Sequence, residues 1–135
     1  MSKVLVIAGS ESDKEFLKHG TDILDKLEIK YDIKILSAHR NLKELTSFLE
    51  NLDKDYKVII AVAGLSAALP GVVASLTKLP VIGVPRDVAP LNGIDALLSI
   101  VQMPSGVPVA TMGVGKHGMK NAAYLAKRIL DLLKN

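Results

Sequence analysis

Strand–helix alternation runs five times along the 135 residues and predicts a three-layer α/β fold with a doubly wound parallel sheet. Two observations order that sheet. The second apolar segment alternates polar with apolar residues. The fifth contains Pro108, which cannot donate a ladder hydrogen bond, and both features mark edge strands. The first, third and fourth segments are apolar throughout, as strands covered on both faces are. The strand order 2-1-3-4-5, the flavodoxin-like arrangement, satisfies these constraints. Its ligand crevice lies between strands one and three at their C-terminal ends. With no internal repeat and no linker, residues 1–135 read as one domain.

The first strand is Val4-Leu5-Val6-Ile7-Ala8, short and rich in β-branched residues. Gly9-Ser10-Glu11-Ser12-Asp13 breaks it, and Phe16, Leu17, Gly20, Ile23, Leu24 and Leu27 then recur at helical spacing. A hydroxyl-rich turn thus joins a buried strand to a helix N-terminus, where free N–H groups and the positive dipole end suit an anion. Ser10, Ser12 and Asp13 are equally the residues that cap helices, and this stretch alone leaves both readings open. Residues 30–36 form the alternating strand, closed by Ser37-Ala38-His39-Arg40. Leu42, Leu45, Phe48, Leu49 and Leu52 share one face of the next helix, and Asn41 with Glu44 resembles a capping box.

Val58-Ile59-Ile60-Ala61-Val62 is the third strand, followed by a loop of small residues over 63–69. Pro70 suits the first turn of a helix over 71–78. Val81-Ile82-Gly83-Val84 is the fourth strand, and residues 92–102 form a helix with Ile94, Leu97, Leu98 and Val101 apolar. Residues 107–111 are the fifth strand. The last helix, 119–133, gathers Met119, Ala122, Ala123, Ala126, Ile129, Leu130 and Leu133 on one face. In this topology the loops at 9–13, 37–40, 63–69 and 85–91 share one rim.

Composition narrows the function classes. Hydrophobic residues make up 49% of the chain, enough for a real core. A net charge of +3 with 4% aromatic residues offers little to nucleic acid and no base-stacking platform. The absence of cysteine removes disulfides and thiolate metal sites and fits a cytoplasmic protein. The apolar run after Lys3 is too short for a signal peptide. Residues 58–77 are uncharged, but Gly64, Ser66, Pro70 and Gly71 interrupt them, so they read as strand, loop and buried helix rather than a membrane span. From Val58 to Gly115 the only charged residues are Lys78, Arg86, Asp87 and Asp95. Helices so poor in polar surface are rarely left in water, and a homo-oligomer that buries them is expected.

His39 and Arg40 fall on the rim that carries Ser10 and Asp13. Arginine offers phosphate a forked, permanently charged donor. Histidine takes and returns a proton near neutral pH, though a lone histidine at a strand end also serves purely structural ends. His19 lies toward the polar face of the first helix and His117 in a glycine-rich turn. No pair of histidines has metal-ligand spacing, so no metal is expected. Two other classes share this topology. A phosphoacceptor receiver needs acidic residues at the end of strand one and Asp at the end of strand three, where Ala8-Gly9 and Ala63-Gly64 stand. A flavin carrier needs aromatic rings on the rim, and none of the four rim loops contains one.

Several motifs occur together in order. Gly9-Ser10-Glu11-Ser12-Asp13 is similar to a Gly-Ser-x-Ser-Asp loop and Ser37-Ala38-His39-Arg40 to a Ser-Ala-His-Arg motif. Gly83-Val84-Pro85, Leu98-Ser99-Ile100-Val101-Gln102-Met103-Pro104, Gly106-Val107-Pro108-Val109 and Asn121-Ala122-Ala123 follow. Over nearly the whole chain this pattern resembles the catalytic subunit of the phosphoribosylaminoimidazole carboxylase family, which includes the 5-(carboxyamino)imidazole ribonucleotide mutases of purine biosynthesis. The resemblance implies that Ser10 and Arg40 hold the ribonucleotide phosphate and Asp13 the ribose hydroxyls. It makes His39 the acid–base group at the imidazole carbon that gains the carboxylate. Ser12, Ser37, Gly64, Ser66 and Leu69 complete the implied substrate site. No cofactor, nucleic acid or membrane partner is implied, and the family's assembly is an octamer.

Three departures stand out. The mutase branch usually shows Ala-Gly-Gly-Ala-Ala-His-Leu-Pro-Gly, whereas this chain has Ala63-Gly64-Leu65-Ser66-Ala67-Ala68-Leu69-Pro70-Gly71. Ser66 and Ala68 are closer to the direct-carboxylase branch, so free CO2 is expected as substrate, with transfer from the carboxyamino nitrogen as the alternative. Arg86-Asp87-Val88 stands where the mutases have uncharged residues and a serine. The sequence stops soon after the last helix, where many family members continue into a tail that reaches a neighbouring subunit.

Overall fold

A computed structural model of the chain describes residues 1–134. The elements are β1 (Lys3–Ala8), a 3-10 turn (Glu11–Asp13), α1 (Lys14–Lys26), β2 (Tyr31–Ile35), α2 (Leu42–Glu50), β3 (Tyr56–Ala63), α3 (Leu69–Leu76), β4 (Val81–Pro85), α4 (Ile94–Val101), β5 (Ala110–Thr111) and α5 (Lys116–Asp131). The five strands form one parallel sheet in the order β2-β1-β3-β4-β5, as the edge signals require.

The alternation of side chains along each central strand divides the core in two. Val4, Val6, Ala8, Val58, Ile60, Val62, Ile82 and Val84 face α1 and α5. Leu5, Ile7, Ile59, Ala61 and Val81 face α2, α3 and α4. The charged positions of β2, Asp32 and Lys34, stay exposed at the sheet edge. Helices α1 and α5 approach closely at Gly20, where an added Cβ would lie 2.7 Å from the Met119 methyl. A bare Cα is what lets these two helices meet over the sheet.

Several local features differ from the sequence reading, among them α3, which starts at Leu69, two residues before the expected start. Strand β5 keeps only Ala110 and Thr111, paired with Ile82 and Gly83. Pro108 lacks an N–H, and the Val107 N–H turns back to the Pro104 carbonyl, so pairing starts late. Helix α4 starts at Ile94, two residues later than expected, behind Gly93 in the left-handed region at φ +91°. Helix α5 starts at Lys116 rather than Met119, which puts His117 in its first turn. Asn41 does not cap α2; its side chain instead accepts the Ser37 N–H at 3.3 Å. Among the described residues no helix is long and apolar enough to cross a membrane.

Candidate active site

The C-terminal ends of β1, β2, β3 and β4 surround a cavity of about 520 Å³. Ser10, Ser12 and Asp13 line it from β1; Ser37, His39 and Arg40 from β2; Gly64, Ser66 and Leu69 from β3; Arg86 and Val88 from β4. Every site residue singled out in the sequence therefore lies on one cavity.

The β1 turn is built by its own side chains. Ser10 caps the 3-10 turn, its hydroxyl accepting the Ser12 N–H at 3.3 Å and lying 3.0 Å from the Ser12 hydroxyl. Asp13 closes a capping box by accepting the Ser10 N–H at 3.1 Å. The capping reading of this stretch thus holds locally. It leaves the two hydroxyls exposed at the cavity mouth, ahead of the N-terminus of α1.

The β2 turn has the same logic. The Ser37 hydroxyl accepts the N–H groups of both His39 and Arg40, each at 3.2 Å, and the Asn41 N–H returns to the Ser37 carbonyl at 2.9 Å. Ser37 therefore shapes the turn that presents His39 and Arg40. Both of those side chains are exposed.

The β3 loop supplies a close wall. Leu65 adopts φ 55°, and tight bonds from the Ala67 N–H to the Leu65 carbonyl and from the Ala68 N–H to the Ser66 carbonyl fold the loop back on itself. At Gly64 an added Cβ would meet Val88 Cγ2 at 2.8 Å, so a side chain here would collide with the β4 loop. Leu69 is buried at the start of α3 and forms part of the floor.

Arg86 lies on the rim, and the sequence assigns it no role. Its Nη1 donates to Asp13 Oδ1 at 2.8 Å, and its guanidinium lies 4.8 Å over the Phe16 ring. A single cation directly after a buried strand, in a stretch almost free of charge, was the available signal. Asp87 lies outside the cavity lining; its carboxylate sits beside Gly115, at the start of α5. His19 stays on the outer surface of α1, edge-on to Phe16. Among the described residues no group of three or more His, Asp or Glu is arranged to hold a metal ion.

Comparison with known proteins agrees with this architecture. The family model described as AIR carboxylase matches residues 3–135. A Bacillus subtilis relative named N5-carboxyaminoimidazole ribonucleotide mutase is 53% identical over 93% of this chain and 78% of its own length. Relatives of the same name from Saccharolobus solfataricus and Escherichia coli K12 are 52% and 45% identical, over 98% and 96% of this chain and 83% and 77% of theirs. The crystal structure of Treponema denticola PurE superposes with a TM-score of 0.86 at 34% identity, covering 99% of this chain and 83% of that one. On this evidence of sequence, fold and cavity together, the chain belongs to the AIR carboxylase family.

Proposed function

We propose that this chain is an isomerase of purine biosynthesis, which moves the carboxylate of N5-carboxyaminoimidazole ribonucleotide from the amino nitrogen to C4 of the imidazole. The observation that carries the reading is the meeting of a serine-lined anion turn and the His39 turn on one cavity. The expectation of direct carboxylation, drawn from Ser66 and Ala68, gives way to the mutase reading. Relatives from 45% to 53% identical carry the mutase name.

The reaction balances within the ligand. The N–C bond to the carboxylate breaks, CO2 is released into the cavity, and a C–C bond forms between it and C4. The hydrogen on C4 leaves as a proton and the nitrogen gains one. His39 carries that proton in this reading. Ser10, Ser12 and Arg40 hold the phosphate, by hydroxyls, turn N–H groups and a guanidinium. Asp13 accepts the ribose hydroxyls. Ser37 holds the His39 turn, while Gly64, Ser66 and Leu69 wall the imidazole end, where a small dry pocket would keep CO2 beside its acceptor.

The same reading takes a homo-oligomer as the working form. Ile94, Leu98 and Val101 stand 63%, 60% and 50% exposed at helical spacing on α4, with Leu91 beside them at 55%. A second copy of the chain is the occupant proposed for this face, and the family's octamer is the expected assembly.

The donor is tested by supplying N5-carboxyaminoimidazole ribonucleotide in one assay and aminoimidazole ribonucleotide with bicarbonate in another. Efficient product formation from the first supports the mutase. Efficient turnover only of the second reinstates direct carboxylation, and turnover of neither overturns the proposed function.

A further inference from the structure

We propose that Arg86 is a positioning residue for the sugar side of this site, holding the Asp13 carboxylate toward the ribose hydroxyls and offsetting its charge beside the phosphate subsite. The inference rests on the function proposed above and assigns the one charged residue of the cavity that this function leaves without a role.

Asp13 is only 6% exposed, and two of its acceptor positions are taken. The Ser10 N–H occupies Oδ2 and Arg86 Nη1 occupies Oδ1. A carboxylate offers about four lone-pair positions, so two remain. Asp13 lines the cavity, so a ligand hydroxyl there is the partner we assign to them. The Arg86 side chain is held at two points, and its backbone is anchored to β3. Its backbone N–H donates to the Ala63 carbonyl at 3.0 Å, while its guanidinium lies over Phe16 and Nη1 holds Asp13. The pair joins the ends of β1 and β4 across 73 residues of sequence. Without Arg86 the carboxylate keeps only the Ser10 N–H and is free to turn away from the sugar. It also then stands uncompensated near the turn that receives an anion, a repulsion that low local dielectric strengthens.

The test measures hydroxyl discrimination. Aminoimidazole carboxamide ribonucleotide and its 2′-deoxy counterpart are titrated calorimetrically into wild-type protein, Arg86→Gln and Arg86→Lys, with melting temperatures taken alongside. Wild type is expected to prefer the ribonucleotide at least about tenfold, the lower edge of the range for a hydrogen bond to a charged group. In Arg86→Gln the preference is expected to fall below about threefold, and Arg86→Lys, which keeps the charge but not the fork, to lie between. A variant that binds both ligands more weakly but keeps the wild-type preference gives Arg86 a structural role only and overturns the proposal. Should Arg86→Gln fail to fold, an unchanged preference in Arg86→Lys does the same. Wild type that binds both ligands equally overturns the Asp13–Arg86 assignment alone, whereas wild type that binds neither overturns the proposed function.

Discussion

Gly83 lies in the middle of β4, two residues before the strand opens onto the cavity rim, and its replacement by alanine tests how tightly the sheet and two helices close there. The new Cβ would lie 2.6 Å from Ile100 Cγ2 on α4, 2.9 Å from Val109 Cγ1 and 3.1 Å from Pro70 Cβ on α3. Neither of the nearer neighbours can yield by swinging a flexible end away. Ile100 is fully buried, and both Ile100 and Val109 are β-branched and stiff at χ1. Overpacking of this kind costs about 1–3 kcal/mol. Removing a glycine from a strand interior returns about 0.5–1 kcal/mol of backbone entropy. The difference spans about 0–2.5 kcal/mol, and two contacts under 3.0 Å place it in the upper part, about 1–2 kcal/mol, which in a chain of this length lowers Tm by about 3–7 °C. Gly9→Ala is the matched control, since nothing lies within 4 Å of its added Cβ. Differential scanning calorimetry at fixed protein concentration reads both. A Gly83→Ala variant melting within about 1 °C of wild type would refute the close packing argued from these distances.

Three further outcomes are expected. His39→Asn should abolish turnover while ligand affinity, measured by calorimetry, stays within about tenfold, or about 1.4 kcal/mol; retained activity removes His39 from the proton transfer. Burial and then the hydrogen bond to Asp32 push the Tyr56 phenol up to about 12, so folding favours the neutral form. Its contribution is complete below the free value of 10.0 and lost as pH rises toward 12. Urea midpoints on either side of about pH 10 should therefore fall less steeply in Tyr56→Phe than in wild type, and parallel slopes would contradict this. Leu98→Glu puts a charge in the exposed face of α4 and should lower the mass measured by light scattering; an unchanged assembly places the interface elsewhere.

Much of the fold is legible because each central strand carries one kind of message. Val4 to Ala8 and Val58 to Val62 contain no polar residue, so both faces must be covered, and the topology follows from that together with the two edge signals. The ends of elements are less legible because they depend on hydrogen bonds between segments. Nothing in residues 107–109 says that the Val107 N–H will be spent on Pro104 rather than on β4. Asn41 likewise has the composition of a cap, yet its side chain is drawn to the Ser37 N–H, which has no ladder partner once β2 ends.

The site divides along the same line. Ser10 with Asp13, and Ser37 with the two residues it presents, are turns closed within four residues, so local chemistry announces them. The Asp13–Arg86 pair is closed only when β4 is laid beside β3 and β3 beside β1. No spacing rule reaches across that distance. Such a pair also ties the site to the sheet in a way the turns cannot. A change in how β4 seats in the sheet is transmitted to Asp13 through one guanidinium, while the Ser37 turn that carries His39 is held by β2, by Asn41 at the start of α2 and, through the Leu36 N–H, by the end of β1. Perturbations of β4 are thus expected to alter ligand affinity before they alter the proton-transfer group, and Gly83→Ala, assayed well below its Tm, should raise KM more than it lowers kcat. A fall in kcat at unchanged KM would show that the two halves of the cavity are not held separately.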